Sequence, residues 1–336
     1  MAKVGQAAVG EGSPGAAAPA AEAEPFDLLS LAEYDRATRV AALPNELADA
    51  REVAEALLEY LRTTSDPLPA FPIMAARGLQ LLSNPDLEIG ELVKLINSDP
   101  AMTAQVLRVA NSAYYSRGIE VAAVGQAVSR LGLAKVAQLM AVTSLRTLYD
   151  PQIQAGQKRF STVWRRLWSH SVVSAYGSLW LAVNVLDDPS GRAFVGGLLH
   201  DIGKIVALQG LGGLSYLGKF TERASPNQVE DVLEVLHVDV GVEMALRWQL
   251  PAFVADLIVD HHGLELPALP ENYAAHVVRL VSGMNEVRTN PRFRWDLEEE
   301  LDASARALTM DGVALHKVAA TLREAAERAQ TLFSAA

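Results

Sequence analysis

The sequence predicts an all-α protein built from two packed helical subdomains. Three observations carry that expectation. Apolar residues recur with a period of 3.6 from Phe26 onward, no run of alternating strand-like residues is found, and prolines, glycines and capping residues interrupt the chain at helix-length intervals.

Residues Met1–Pro25 are mostly Ala, Gly, Pro and Glu, and lack the apolar surface needed to offset ordering entropy, so this stretch reads as a disordered tail. Ala48–Arg62 is an amphipathic helix ended by the two prolines between Leu68 and Pro72. A second helix runs to about Leu82 and stops at Ser83-Asn84-Pro85, and Ile89–Asn97 forms a short third. Asp99-Pro100 pairs an N-cap with a proline at the first helical position, and Met102, Val106, Val109 and Ala110 then share one apolar face. Gly125–Leu131 and Ala134–Leu148 follow, with Gly132 as the stop between them. Beyond a polar loop near Asp150–Lys158, the period predicts helices over Ser161–Val185, Arg192–Leu208, Gln228–Leu236, Val240–Gln249, Pro251–His261, Tyr273–Val287 and Val313–Phe333. Trp164, Trp168, Trp180 and Trp248 fit core anchors at helical spacing.

A chain of 336 residues is long enough for one large core or two modest ones. The absence of cysteine removes disulfides, thiolate metal sites and cysteine nucleophiles together. A formal net charge of −11 argues against general attraction to phosphate backbones, so nucleic acid is not an expected partner. The longest apolar stretches, Ala175–Leu186 and Ala193–Leu214, are too short to span a bilayer or are interrupted by His200, Asp201 and Lys204. With no membrane segment and no signal-like start, a cytoplasmic location is expected.

Five of the seven histidines fall between His170 and His262. His170 sits mid-helix, His200 and Asp201 are adjacent within Gly196–Lys204, His237 opens His237-Val238-Asp239, and His261-His262 end a helix. Neutral imidazoles with a carboxylate are a ligand set for iron, manganese, zinc or nickel. Adjacent His200 and Asp201 can both face inward only at a helix bend. Lys204 is a candidate phosphate contact, with a helix-end cap as its ordinary reading. Gly213–Phe220 mimics a phosphate-binding loop, but Phe220 stands where a magnesium-binding hydroxyl is needed and no strand precedes it. Its glycines read as a turn between helices.

A histidine followed after about thirty residues by His-Asp, and then by further histidines, resembles the HD superfamily of helical metal-dependent phosphohydrolases. Asp99-Pro100, Leu107–Ala113, Ala127–Gly132, Trp168 with His170-Ser171, Phe194–Gly203, His237–Gly241 and Trp248–Pro251 are similar, in order, to HDOD domains, the HD-related output domains of bacterial signalling. The resemblance implies an HDOD domain over 68–262, with an N-terminal helical half at 68–150 and an HD-like half at 151–262. Residues 26–67 and 263–336 are then helical extensions. It further implies a signal-transduction module acting on partners such as a histidine kinase, a diguanylate cyclase or another regulator, usually without demonstrated catalysis. Catalytic relatives close their metal site with a later aspartate, and Ser282 is the expected occupant of that position here. The Gly-Tyr-Pro signature of cyclic-di-GMP phosphodiesterases is missing after His262, where the chain reads Gly263-Leu264-Glu265-Leu266-Pro267. The alternative expectation is a metal-dependent phosphohydrolase using His170, His200 and Asp201, with His237, His261 and His262 completing the ligands.

Overall fold

The structure is a computed structural model, and it describes residues 57, 60, 70–83, 89–116, 118–149, 160–216, 225–262, 266–290 and 296–334. The tail and most of the first expected helix lie outside these residues. Among the described residues the regular elements are all helical: α1 (Ile73–Ser83), α2 (Ile89–Asn97), α3 (Pro100–Ala110), α4 (Val124–Leu131), α5 (Leu133–Leu145), a 3₁₀ turn (Arg146–Tyr149), α6 (Ser161–Val185), α7 (Arg192–Leu199), α8 (Ile202–Tyr216), α9 (Pro226–Arg247), α10 (Ala252–Asp260), α11 (Tyr273–Thr289), α12 (Asp296–Ala307) and α13 (Gly312–Ser334).

The start signals act as expected. The Asp99 carboxylate accepts from the Met102 amide at 3.0 Å, with Pro100 at the first helical position. Ser225 and Gln228 form a reciprocal capping box ahead of Pro226, so α9 begins two residues before the expected Gln228. Three expectations are corrected. The single helix over Arg192–Leu208 is broken at His200-Asp201 into α7 and α8. The two helices expected on either side of His237 are one continuous α9, which runs unbroken through His237, Val238 and Asp239 and is approached at Gly241 by Gly203 of α8. Of the two glycines of Gly213–Phe220, Gly213 lies inside α8, which runs to Tyr216, and Gly218 lies outside the described residues.

Two apolar cores result. Leu92, Ile96, Met102, Val106, Val128, Val136 and Met140 form the smaller one, within α2–α5. The larger gathers α6–α13 around the 25-residue α6, which packs against α7, α11 and α13. Trp164 and Phe194 are fully buried there, and a phenylalanine side chain alone stabilises by roughly 1.5–3 kcal/mol when buried. Leu57 joins the same core. No helix of the described residues is long and apolar enough to cross a membrane.

Candidate metal centre

The site forms where α6, α8, α9, α10 and α11 meet. The break after α7 turns consecutive side chains inward: His200 keeps helical dihedrals and its amide bonds Gly196 O at 2.8 Å, while α8 restarts at Ile202. Two close approaches hold the helices in register. A Cβ on Gly197 would stand 2.5 Å from Ser174 O of α6, and one on Gly203 would stand 1.9 Å from His237 O of α9. Only glycine allows these backbones to touch. The contacts bring His170 to His200, and Asp201 and Lys204 to Glu234 and His237.

Three imidazoles are fixed by the same local bond. Nδ1 of His200 lies 3.1 Å from Gly197 O, that of His237 2.8 Å from Glu234 O, and that of His261 2.7 Å from Ile258 O. A carbonyl can only accept, so each Nδ1 carries the proton and each Nε2 turns a lone pair inward. Nε2 of His237 and Nε2 of His261 are 3.3 Å apart, and both stand 3.7 Å from Asp201 Oδ1, a buried oxygen with no hydrogen-bond partner. Two lone pairs and a bare carboxylate oxygen thus converge without a proton among them. A divalent cation fits this donor set, and His262 adds a further nitrogen to the His237–His261 group.

The other oxygen of Asp201 has different company. Lys204 Nζ lies 3.0 Å from Oδ2 and 2.9 Å from Glu234 Oε2, while Nε2 of His170 and of His200 stand 3.6 and 3.5 Å from that same Oδ2. His170 and His200 face each other at 3.1 Å through Nε2. His262 lies 3.7 Å from Glu234 Oε1 and 3.9 Å from Glu300 Oε2.

Burial dominates the proton affinities. It pushes His170 and His237 down to about 4, and His200 and His261 down to about 3, so all four are neutral at pH 7. Burial opposes the charge of Asp201, yet the Lys204 ammonium, with the histidines, holds its carboxyl well below the usual range. Burial likewise opposes the Lys204 charge, and the Asp201 and Glu234 carboxylates together hold that ammonium above its ordinary value.

His170, His200, Asp201, Lys204, His237, His261 and His262 therefore all stand in one cluster. Four further residues join it that the sequence does not single out: Glu234, Asn285, Glu286 and Glu300. Glu234 lies one turn before His237 on α9, which is the spacing that could have exposed it. On α11 the expected position is corrected. The Ser282 hydroxyl donates to its own helix at Arg279 O, and the side chains that reach His170 come one turn later. Asn285 Nδ2 is 3.1 Å from His170 Nδ1, and Glu286 Oε2 is 3.5 Å from it.

An all-helical core with a buried histidine–aspartate cluster at a helix break defines an HD-like protein. The HDOD domain profile matches residues 68–264, and the chain belongs to that family. Of solved structures, it is similar to a provisionally named metal-dependent phosphohydrolase from Shewanella amazonensis SB2B, with TM-score 0.61 and 18% identity, covering 83% of this chain and 99% of that one. It is also similar to an HDOD domain protein of unknown function from Geobacter sulfurreducens, with TM-score 0.55 and 21% identity over 82% of this chain and 98% of that one. A provisionally named signal transduction protein from Marinobacter aquaeolei VT8 gives TM-score 0.58 and 22% identity over 86% of this chain and 66% of that one. Among curated proteins, an uncharacterized protein of Treponema pallidum (strain Nichols) is 28% identical over 265 residues, 72% of this chain. The chain spans about half, 49%, of that relative's length.

Proposed function

We propose that this chain is a signalling module of HDOD type that holds one divalent ion between Asp201 Oδ1, His237, His261 and His262, and that it acts through protein contacts and not through hydrolysis. Its partners in this reading are signalling proteins such as a histidine kinase, a diguanylate cyclase or another regulator, in keeping with the name of the Marinobacter relative. The ion ties α8, α9 and α10 together and so sets the shape presented to the partner. A bound ion of this kind supplies Lewis acidity.

The observation that carries the reading is the place of Lys204. Its ammonium already lies on Asp201 Oδ2 and Glu234, so positive charge already offsets that oxygen and the lysine is committed to two carboxylates and not to a phosphate. The side chains of Glu234 and Glu286, each 30% exposed, set two carboxylates at the mouth, where a phosphoester anion would be repelled. The test is metal content after dialysis against Mn²⁺, Zn²⁺, Fe²⁺ or Ni²⁺, with a screen of phosphomonoesters and cyclic nucleotides. One ion per chain, lost in His261→Ala, and no turnover is the expected result. Turnover abolished by His200→Ala would overturn it in favour of a metal-dependent phosphohydrolase at His170, His200 and Asp201.

A further inference from the structure

We infer that Arg288 and Asn285 lock His170 as a hydrogen-bond donor toward His200, so that His170 is withheld from metal and a single change, Asn285→Asp, would open a second ion site. This rests on the one-ion reading above and says why the ion lies on only one side of Asp201.

The direction of each hydrogen bond fixes the tautomer. Arg288 Nη2 lies 2.8 Å from Asn285 Oδ1, and a guanidinium can only donate. The carbonyl end of the Asn285 amide is therefore committed to Arg288, and its NH₂ end faces His170 Nδ1 at 3.1 Å. An amide NH₂ also only donates, so Nδ1 of His170 bears a lone pair and no proton. An imidazole ring keeps at least one N–H, which must then be on Nε2. That hydrogen points at His200 Nε2, 3.1 Å away. His200 can accept it because its own proton is committed to Gly197 O. The chain of bonds starts at a group that cannot accept and ends at one that cannot donate, so no member can turn round.

One rival stands nearby. Glu286 Oε2 could accept from Nδ1, but it lies 3.5 Å away, and the other oxygen of that carboxylate already accepts from Asn290 Nδ2. The asparagine amide is nearer and holds the nitrogen. The consequence is an asymmetry across Asp201. On the Oδ1 side two lone pairs face each other with no proton, which invites a cation. On the Oδ2 side the His170 proton and the Lys204 ammonium fill the corresponding places. An aspartate at 285 would reverse the chain: it would accept from His170 Nδ1–H, and Nε2 would become a ligand beside His200.

The tautomer can be read directly. Full-length protein with ¹⁵N-labelled histidine, free of metal, gives two-bond nitrogen–proton correlations, with the His170 signal assigned by its loss in His170→Gln. The expected result is an Nε2–H ring for His170 in the wild type and an Nδ1–H ring in Asn285→Asp. Arg288→Met, which frees the amide to flip, should give a mixture at His170 while the His237 and His261 signals stay put. An Nδ1–H ring in the wild type, or a pure Nε2–H ring in Asn285→Asp, would overturn the inference. Titration with Co²⁺ then counts ions by absorbance and calorimetry. Asn285→Asp should take one more ion per chain than the wild type, and His170→Ala in that background should remove it. A flipped tautomer with no added ion would overturn the claim that the proton is what withholds His170. A wild type that binds no Co²⁺ while showing the expected tautomer would sink the one-ion reading and support the lock.

Discussion

The two helical regions use their polar side chains in opposite ways. In α1–α5 and their loops, the polar side chains bond to backbone or to a neighbour on the same helix. Asn111 brackets Val121 with two bonds of 2.8 Å, and Arg130 donates to Ala110 O at 3.1 Å and Ile119 O at 2.8 Å. The described buried polar residues there are Gln105 and Gln138, both uncharged. In α6–α13 the buried polar groups include His170, His200, Asp201, His237, His261, Arg279 and Glu300, and much of their bonding is to one another. The first pattern stabilises a shape and is indifferent to pH. The second costs stability and stores a capacity to bind, because buried titratable groups are tolerated only where their partners fit.

The largest expected effect is acid lability of the metal-free protein. The folded-state values of His170 and His237, about 4, and of His200 and His261, about 3, lie below the ordinary 6.5. The unfolded chain therefore takes up protons first as pH falls. The stability contributed by the neutral rings is complete above pH 6.5 and is lost progressively as pH drops through 6 and 5 toward those folded values. Each ring contributes a slope of up to about 1.4 kcal/mol per pH unit, so the loss reaches several kcal/mol in total. Thermal midpoints after chelation should be level from pH 8 to 7 and fall steeply below 6.5. A level midpoint down to pH 5 would mean that the rings are solvated and the contrast between the regions is false.

Gly203→Ala comes next. The added methyl would meet His237 O at 1.9 Å and Gly241 N at 2.7 Å, both backbone atoms that can yield only by parting α8 from α9. A loss on the order of 4 kcal/mol, or failure to fold, is expected. Gly125→Ala in α4 is the matched control, since nothing lies within 4 Å of its added carbon. That change should be neutral or stabilise by up to about 1 kcal/mol. Equal urea midpoints for the two variants would show that α8 and α9 do not depend on the close contact.

Much of this organisation is legible from sequence. Caps and apolar period place α2, α3, α6 and α13 within about a residue of the structure. The histidines stand out because imidazoles and an aspartate in apolar surroundings have few ordinary uses. The elements that escape do so for physical reasons. Asp296–Ala307 is so rich in acidic residues that its few large apolar positions are easily passed over, and its Glu300 reads as one more solvated charge until packing buries it. Glu234, Asn285 and Glu286 lie on helices where a polar residue ordinarily faces water, and only the meeting of α9 and α11 with the cluster gives them a role.

The smallest effect belongs to the first region. Asn111→Ala removes both bonds to Val121, whose side chain is buried, and the 3.4 Å contact from Arg130 Nη1 to Asn111 Oδ1. The φ of Asn111 is −96°, which alanine adopts freely, so no backbone strain enters. A loss of about 1–3 kcal/mol is expected from the unsatisfied backbone groups of Val121. Arg130→Ala should cost less, because Ile119 is exposed and water can replace the guanidinium at its carbonyl. The double variant should lose less than the sum, since the two side chains hold one loop. The distinguishing readout is the acid profile: the Asn111→Ala midpoint should lie below wild type by the same amount at pH 8 and at pH 6. A difference that widens toward pH 6 would show that the loop between α3 and α4 feels the charge state of the distant histidines, and the two regions would then have to be treated as one coupled unit.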